Sequence, residues 1–282
     1  MTRFPRIKTT LLPLLIASMA PALHAGTFKE VAPTPEPQQE ERFRHWTIVP
    51  SYSYSFFNKG RQAWQEEDLQ VYYAINRQLG VGGEIDIMQR PPSGTNIYYS
   101  GMAYYYPWKV LELHAKLSFS PNPTFLAKQI YTGGFQYQVL PRLALLFDYQ
   151  RMNFIQGPID QLNTGVTFNF TDETSLTLKY TRGWAFYDLE YNYYAAVLNI
   201  GMPWHGRLGL AFAYGTDPDA EAGSTSVVTS LSPAYTYSLF YTQPITRDLK
   251  AFAGIQYVYR LSSLGGELYQ QLTPTVGLAW KF

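Results

Sequence analysis

The chain has 282 residues, with 24 tyrosines, 17 phenylalanines, no cysteine and only 15% charged residues. A soluble domain is nearer about a quarter charged, so this balance argues against an ordinary soluble globule. The missing cysteine excludes a disulfide framework, a lipoprotein anchor and thiolate metal sites. A net charge of +1 without a polybasic block excludes a nucleic-acid partner.

At the start, Arg3, Arg6 and Lys8 precede the short apolar run LLPLLIASMA (11–20), and small residues follow in PALHAG (21–26). This is the layout of a secretory signal peptide, expected over 1–25, with cleavage after Ala25 or alternatively after Ala22. An anchoring helix would need about 20 apolar residues. Residues 26–44 are rich in proline, glutamine and charge and show no periodicity. They are expected to form a disordered periplasmic lead-in, with a docking peptide for a partner as the alternative.

From His45 onward the period is two, which is the strand period. In HWTIVPSYSYSFF (45–57), Trp46, Ile48, Tyr52, Tyr54 and Phe56 share one face, and Thr47, Ser51, Ser53 and Ser55 share the other. Similar alternation marks Leu69–Ile75, Leu79–Ile87, Ile97–Tyr105, Leu111–Phe119, Tyr131–Val139 and Leu143–Tyr149. It continues through Leu162–Phe170, Leu176–Tyr180, Tyr194–Ile200, Leu208–Tyr214, Tyr235–Tyr241, Leu249–Tyr259 and Leu272–Phe282. About fourteen strands are therefore predicted, and no apolar 18-mer interrupts them.

The connections are of two kinds. Short ones at 76–78, 107–109, 141–142, 171–173, 203–206 and 244–248 alternate with longer ones near 58–66, 90–95, 121–128, 154–160, 183–191, 216–230 and 261–270. Short periplasmic turns and long external loops are the pattern of an outer-membrane barrel with both ends periplasmic. The predicted fold is thus all-β, a transmembrane antiparallel up-and-down barrel over 45–282 in the cell outer membrane. Trp46, Trp64, Trp108, Trp184, Trp204 and Trp280 fall at strand ends, where interfacial girdles belong. Pro50 and Pro274 lie on the first and last strands, where each removes a ladder donor. A curvature-setting bulge is the preferred expectation there, and a weak closing seam the other.

The face opposite the lipid is predicted to carry Tyr72, Glu84, Asp86, Tyr98, Tyr104, Glu112, His114, Lys116, Asp148, Lys179 and Lys250. Asn169, Arg207, Phe240, Phe252, Gln256 and Lys281 are expected on the same face. Mixed charge with inward rings suits the passage of a saccharide, because rings stack on sugar faces while polar groups exchange hydrogen bonds. Opposite charges pairing across a closed interior would fit the same residues. No two histidines share a strand, so no metal site or cofactor is expected. His114 near Glu112 is too slight a signal for a catalytic dyad.

Three segments carry a resemblance: SYSYSFFNKGRQAW (51–64), GGFQYQVLPRLALLFDYQRMNF (133–154) and TGVTFNFTDETSLTLKYTR (164–182). Leu140-Pro141 at a strand end, Tyr149–Arg151 and Gly165 make the chain similar to the barrel of the YaiO family. That resemblance implies an outer-membrane barrel related in layout to exporters of cellulose and other exopolysaccharides, and it carries over no catalytic residue. Some longer members precede the barrel with tetratricopeptide helices, for which 26–44 is too short.

Three functions remain open: a pore for saccharide or exopolysaccharide, a non-conducting accessory barrel that binds a partner, and a lipid-modifying enzyme. The pore leads, with outer-membrane lipid, lipopolysaccharide and the barrel-assembly machinery as expected partners. Val276, Leu278, Trp280 and Phe282 alternate in phase to the last residue, and Phe282 resembles the terminal aromatic that barrel-assembly machinery recognises. Deleting Phe282 is expected to lower the amount of assembled barrel far more than the melting temperature of barrels already formed. Heat-modifiable gel migration of outer-membrane fractions reads both quantities.

Overall fold

Side chains alternate across a strand, so a segment with one apolar and one polar face must put lipid on one side and something polar on the other. The computed structural model describes residues 46–124, 126–155, 157–185, 189–218, 231–262 and 266–282. The strands are β1 (Trp46–Phe57), β2 (Trp64–Ala74), β3 (Leu79–Arg90), β4 (Gly94–Trp108) and β5 (Leu111–Phe119). There follow β6 (Gln129–Leu140), β7 (Leu143–Asn153), β8 (Pro158–Asn169), β9 (Ser175–Ala185) and β10 (Leu189–Gly201). The last four are β11 (Arg207–Pro218), β12 (Leu231–Pro244), β13 (Leu249–Leu261) and β14 (Glu267–Lys281). Each pairs antiparallel with its sequence neighbours, and β14 pairs with β1 to close the barrel. The expected signal peptide (1–25) and lead-in segment (26–44) lie outside the described residues, as does most of the loop expected at 216–230.

The strands run longer than their apolar alternation. β2 begins at Trp64 rather than Leu69, and β9 continues to Ala185 rather than ending at Tyr180. The added residues of β2, Gln65 to Asp68, are polar on both faces, so pairing continues where the hydrophobic signal has faded. At the opposite end the turns are tight and share one device. Asn76 Oδ1 accepts from the Gln78 and Leu79 amides, and Thr171 Oγ1 from those of Glu173 and Thr174. Thr246 Oγ1 accepts likewise from Asp248 and Leu249. Such side chains replace a backbone turn bond and so fix the hairpin.

Leu69, Ile85, Tyr99, Leu117, Leu145, Leu178, Leu210, Leu239 and Ile255 stand exposed on the outer surface. In water so continuous an apolar surface would be a liability; in a bilayer it is the required one. The strands have 9 to 15 residues, enough for the roughly 9–11 that a tilted spanning strand needs.

The seam departs from the preferred expectation. The β1–β14 ladder keeps one register throughout, from Thr47↔Lys281 to Phe57↔Gln271, so neither proline makes a bulge. Pairing instead lapses at Val49–Pro50 and again opposite Pro274 and Thr273, because proline has no amide to donate. Buried side chains bridge the second gap: Ser53 Oγ meets Thr275 Oγ1 at 3.0 Å, and Ser55 Oγ meets Thr273 Oγ1 at 2.8 Å. Gln271 Nε2 donates to Ser55 Oγ at 3.1 Å. At the periplasmic edge Trp46 and Phe282 exchange both backbone bonds, at 3.1 and 3.0 Å. The register irregularities of the barrel lie elsewhere, in β4, β6 and β13.

Ser55→Ala should weaken the seam by about 0.5–1.5 kcal/mol, since it removes one partner each from Thr273 and Gln271, which keep their bond to one another at 3.1 Å. Ser51→Ala, on the same strand and outside this hydroxyl network, should cost less. Urea-induced loss of heat-modifiable migration compares the two.

Candidate functional site in the lumen

The inward face divides into three zones along the barrel axis. At the external end, Met88, Tyr98, Ile130, Met152, Ile159, Ala185 and Tyr191 form an apolar cluster. The loop between β5 and β6 folds into it, burying Leu126 and Ala127. Two lumen side chains of β4 hold that loop. Tyr98 Oη donates to the Ala127 carbonyl at 2.7 Å, and Asn96 Nδ2 donates to the Asn122 carbonyl at 2.9 Å. The Asn96 Oδ1 atom also accepts from the Thr124 hydroxyl at 3.1 Å and from its amide at 3.3 Å. Near the periplasmic end, Val49, Tyr72, Met102 and Ala279 pack together with Tyr104 and Phe252.

Between these zones lies a chain of charges on one wall. Lys116 on β5 reaches over β4 to both Glu84 oxygens on β3, at 2.9 and 3.0 Å. His114 Nε2, also on β5, reaches over β6 to Asp148 Oδ1 on β7, at 2.7 Å. Lys179 on β9 lies within electrostatic reach of the same Asp148. The charged residues thus sit on alternate strands, and glycines lie between them on β6 and β8. Gly134 is the register partner of both His114 and Asp148, and a Cβ there would overlap Asp148 Oδ1 and come within 2.9 Å of His114 Nε2. Gly165 faces Lys179, whose Cγ would lie 3.2 Å from a Cβ at that position. On β4, Ser100 occupies the row of Glu84. A glycine on the intervening strand leaves the space that a side chain needs to cross it; Lys116 instead passes between Ser100 and Met102 of β4.

The opposite wall, β10 to β14 with β1, differs in kind. Its buried inward residues include Ala195, Ala211, Ala213, Thr236, Ser238, Thr273 and Thr275. These are small or hydroxyl-bearing and lie at mid-height, opposite the ionic wall; toward the external end the same strands bury Tyr191, Tyr193, Arg260 and Tyr269, and toward the periplasmic end Phe252 packs inward.

The remaining predicted residues fall as follows. Tyr72, Glu84, Asp86, Tyr98 and Glu112 are buried, and Tyr104, Lys179 and Lys250 are half-buried. Asp86 lies within electrostatic reach of Arg90, whose guanidinium stacks 4.4 Å from the Trp64 ring. Trp64 therefore leaves the girdle set: it shares the face of Glu66, Asp68 and Gln70 and packs 4.4 Å from Phe57 inside the mouth. The apolar alternation had not extended to it, so its face was not legible from the sequence. Trp46, Trp108, Trp184, Trp204 and Trp280 are exposed on the outside or in turns. Tyr98, a candidate for stacking on sugar, is fully engaged with the loop. Asn96, Arg90, Tyr106 and the two bridging glycines are lumen residues that sequence reasoning passed over. Their signal was only their phase within a strand. Among the described residues, no group of three or more histidine and acidic side chains could hold a metal ion.

No family model matches the chain, and no curated protein matches it in sequence. Solved structures do. The chain is similar to the monoaromatic hydrocarbon channel CymD, with a TM-score of 0.62, 8% identity and coverage of 86% of this chain and 89% of that one. It is similar to a bacterial polysaccharide outer membrane secretin (TM-score 0.60, 8% identity, 86% and 100% coverage). A third likeness is to the P. putida toluene transporter TodX (TM-score 0.58, 8% identity, 84% and 90% coverage).

Gly134→Ala should destabilise the barrel by about 1–3 kcal/mol through overpacking and break the His114–Asp148 bond. Gly101→Ala, at a site with open space, should be near neutral. Thermal loss of heat-modifiable migration measures the contrast. The barrel's geometry and its apolar exterior, together with these likenesses, establish the chain as an outer-membrane β-barrel of fourteen strands.

Proposed function

We propose that the protein is a non-catalytic pore for a small polar solute of the saccharide class, narrowed at its external mouth by Leu126 and Ala127 of the β5–β6 connection. The observation that carries this reading is the asymmetry of the lumen. At mid-height, paired charges occupy β3 to β9 while β10 to β14 present mainly alanine, serine and threonine, between Tyr191, Tyr193, Arg260 and Tyr269 at the external end and Phe252 at the periplasmic end. A mid-section built only for packing would place large side chains on both walls, and the small ones on one wall at that height leave room beside the charges. Because the charges are paired with one another, the wall attracts neither ion strongly. Its carboxylates, amides and hydroxyls remain able to exchange hydrogen bonds with a polyhydroxylated solute. Membership of the YaiO family and a role in exopolysaccharide passage belong to the same reading.

A second reading has its own support. The external apolar cluster with Leu126 and Ala127 seated in it would suit a closed accessory barrel that binds a partner through its loops. Planar-bilayer recording separates the two. A pore gives small steps with little preference between potassium and chloride, and maltohexaose interrupts the current. Silence under all conditions would favour the accessory barrel. Asn96→Ala combined with Tyr98→Phe removes bonds worth about 1 kcal/mol each, so the open fraction should rise roughly fivefold per bond lost.

A further inference from the structure

His114 and Glu112 hold two buried atoms that the charge ladder does not use. His114 Nδ1 and Glu112 Oε1 each have no hydrogen-bond partner among the described residues, and they face one another at 3.9 Å. That spacing is too long for a hydrogen bond and too close for two buried acceptors to be indifferent to each other. Asp148 accepts from His114 Nε2 at 2.7 Å, so Nε2 carries a proton, and in a neutral ring Nδ1 is then an acceptor. A carboxylate oxygen is also an acceptor. One added proton between them would satisfy both.

We infer that Glu112 and His114 form a proton-binding site on the lumen wall that controls passage through the barrel. This rests on the reading of the chain as a pore and adds its regulation. With the proton bound, the imidazolium donates at both nitrogens, to Asp148 and to Glu112. Glu112 is then drawn from 3.9 Å to the roughly 2.8 Å of a charge-assisted bond. With the proton gone, Glu112 faces a lone pair and turns toward the lumen, adding an uncompensated negative charge to the path.

The surroundings single out Glu112 as the group that needs this proton. Lys116, on the same strand, is held by both oxygens of Glu84 on β3. Lys179 on β9 acts on Asp148 of β7 and also lies within electrostatic reach of His114, where it opposes the imidazolium. The charged groups acting on Glu112 are His114 and Asp148, and the Tyr106 hydroxyl of β4 lies near it as well. From β4 the Tyr104 ring lies 6.5 Å from the imidazole, while β6 presents Gly134 beside it and Gln136 opposite Glu112. Each lysine thus has a carboxylate, and the charge facing Glu112 from its own strand is that of the imidazole. Histidine is the side chain that titrates near neutrality.

The test combines conductance with a readout that does not require conduction. Wild-type protein, Glu112→Gln and His114→Gln are recorded in planar bilayers over roughly pH 5 to 8. In parallel, 15N-histidine spectra in micelles follow His114, assigned by its loss in His114→Gln. The expected result is a conductance step with pH that is lost in both variants. The His114 titration midpoint should also move down in Glu112→Gln, which keeps the shape of the side chain while removing its charge. A His114 titration indifferent to Glu112→Gln would overturn the site, and a conducting wild type without a pH step would overturn its control of passage. Linked titration in a barrel that never conducts would leave the proton site standing and sink the pore.

Discussion

Closure is the constraint from which the rest of the structure follows. In the hydrocarbon of a bilayer an unpaired backbone amide or carbonyl costs several kcal/mol, so a sheet can cross only if its first and last strands pair. Here that pairing is made by β1 and β14, and it is made despite a proline on each. The seam answers the lost amides with hydroxyls. Serines of β1 and threonines of β14 meet across the gap at Pro274, inside the barrel where lipid cannot reach them. At Pro274 the inward face beside the proline is polar and tied side chain to side chain, whereas beside Pro50 the inward Val49 packs in the apolar periplasmic cluster.

Closure also creates an interior, and the interior is organised by reach. A histidine or lysine can bond a partner two strands away only by lying across the strand between. Gly134 and Gly165 keep that route open. The glycines and the charges are therefore one device. The row Glu84, Lys116, His114, Asp148, Lys179 ties together strands that share no backbone bonds. Removing one partner of such a pair costs about 3–5 kcal/mol when the remaining charge is buried, so the ladder is a structural element of the wall.

Within that frame the two ends have different tasks. The external mouth is narrowed by a loop whose apolar residues sit among apolar wall residues, fastened by Asn96 and Tyr98. The periplasmic end is lined by tyrosines, a methionine and Phe252. A solute crossing the barrel would meet an apolar neck, an ionic wall facing hydroxyls, and then aromatic rings.

Strand number, inside and outside, the placing of short turns and the compartment were all readable from the sequence. Each depends on local alternation and local turn chemistry, and the lipid imposes that alternation strand by strand. The inward charges were readable for the same reason. Their pairing was not, because partners two strands apart are fixed by register, and register is set by hairpin geometry and closure together. Nothing in the residues around Gly165 announces that Lys179 will lie over it. Trp64 was misplaced for a related reason: its strand extends through polar residues where alternation gives no phase. The sequence determined which residues face inward and which meet lipid; tertiary structure decided which of them touch, because contacts across a barrel depend on the closed register and not on any one strand.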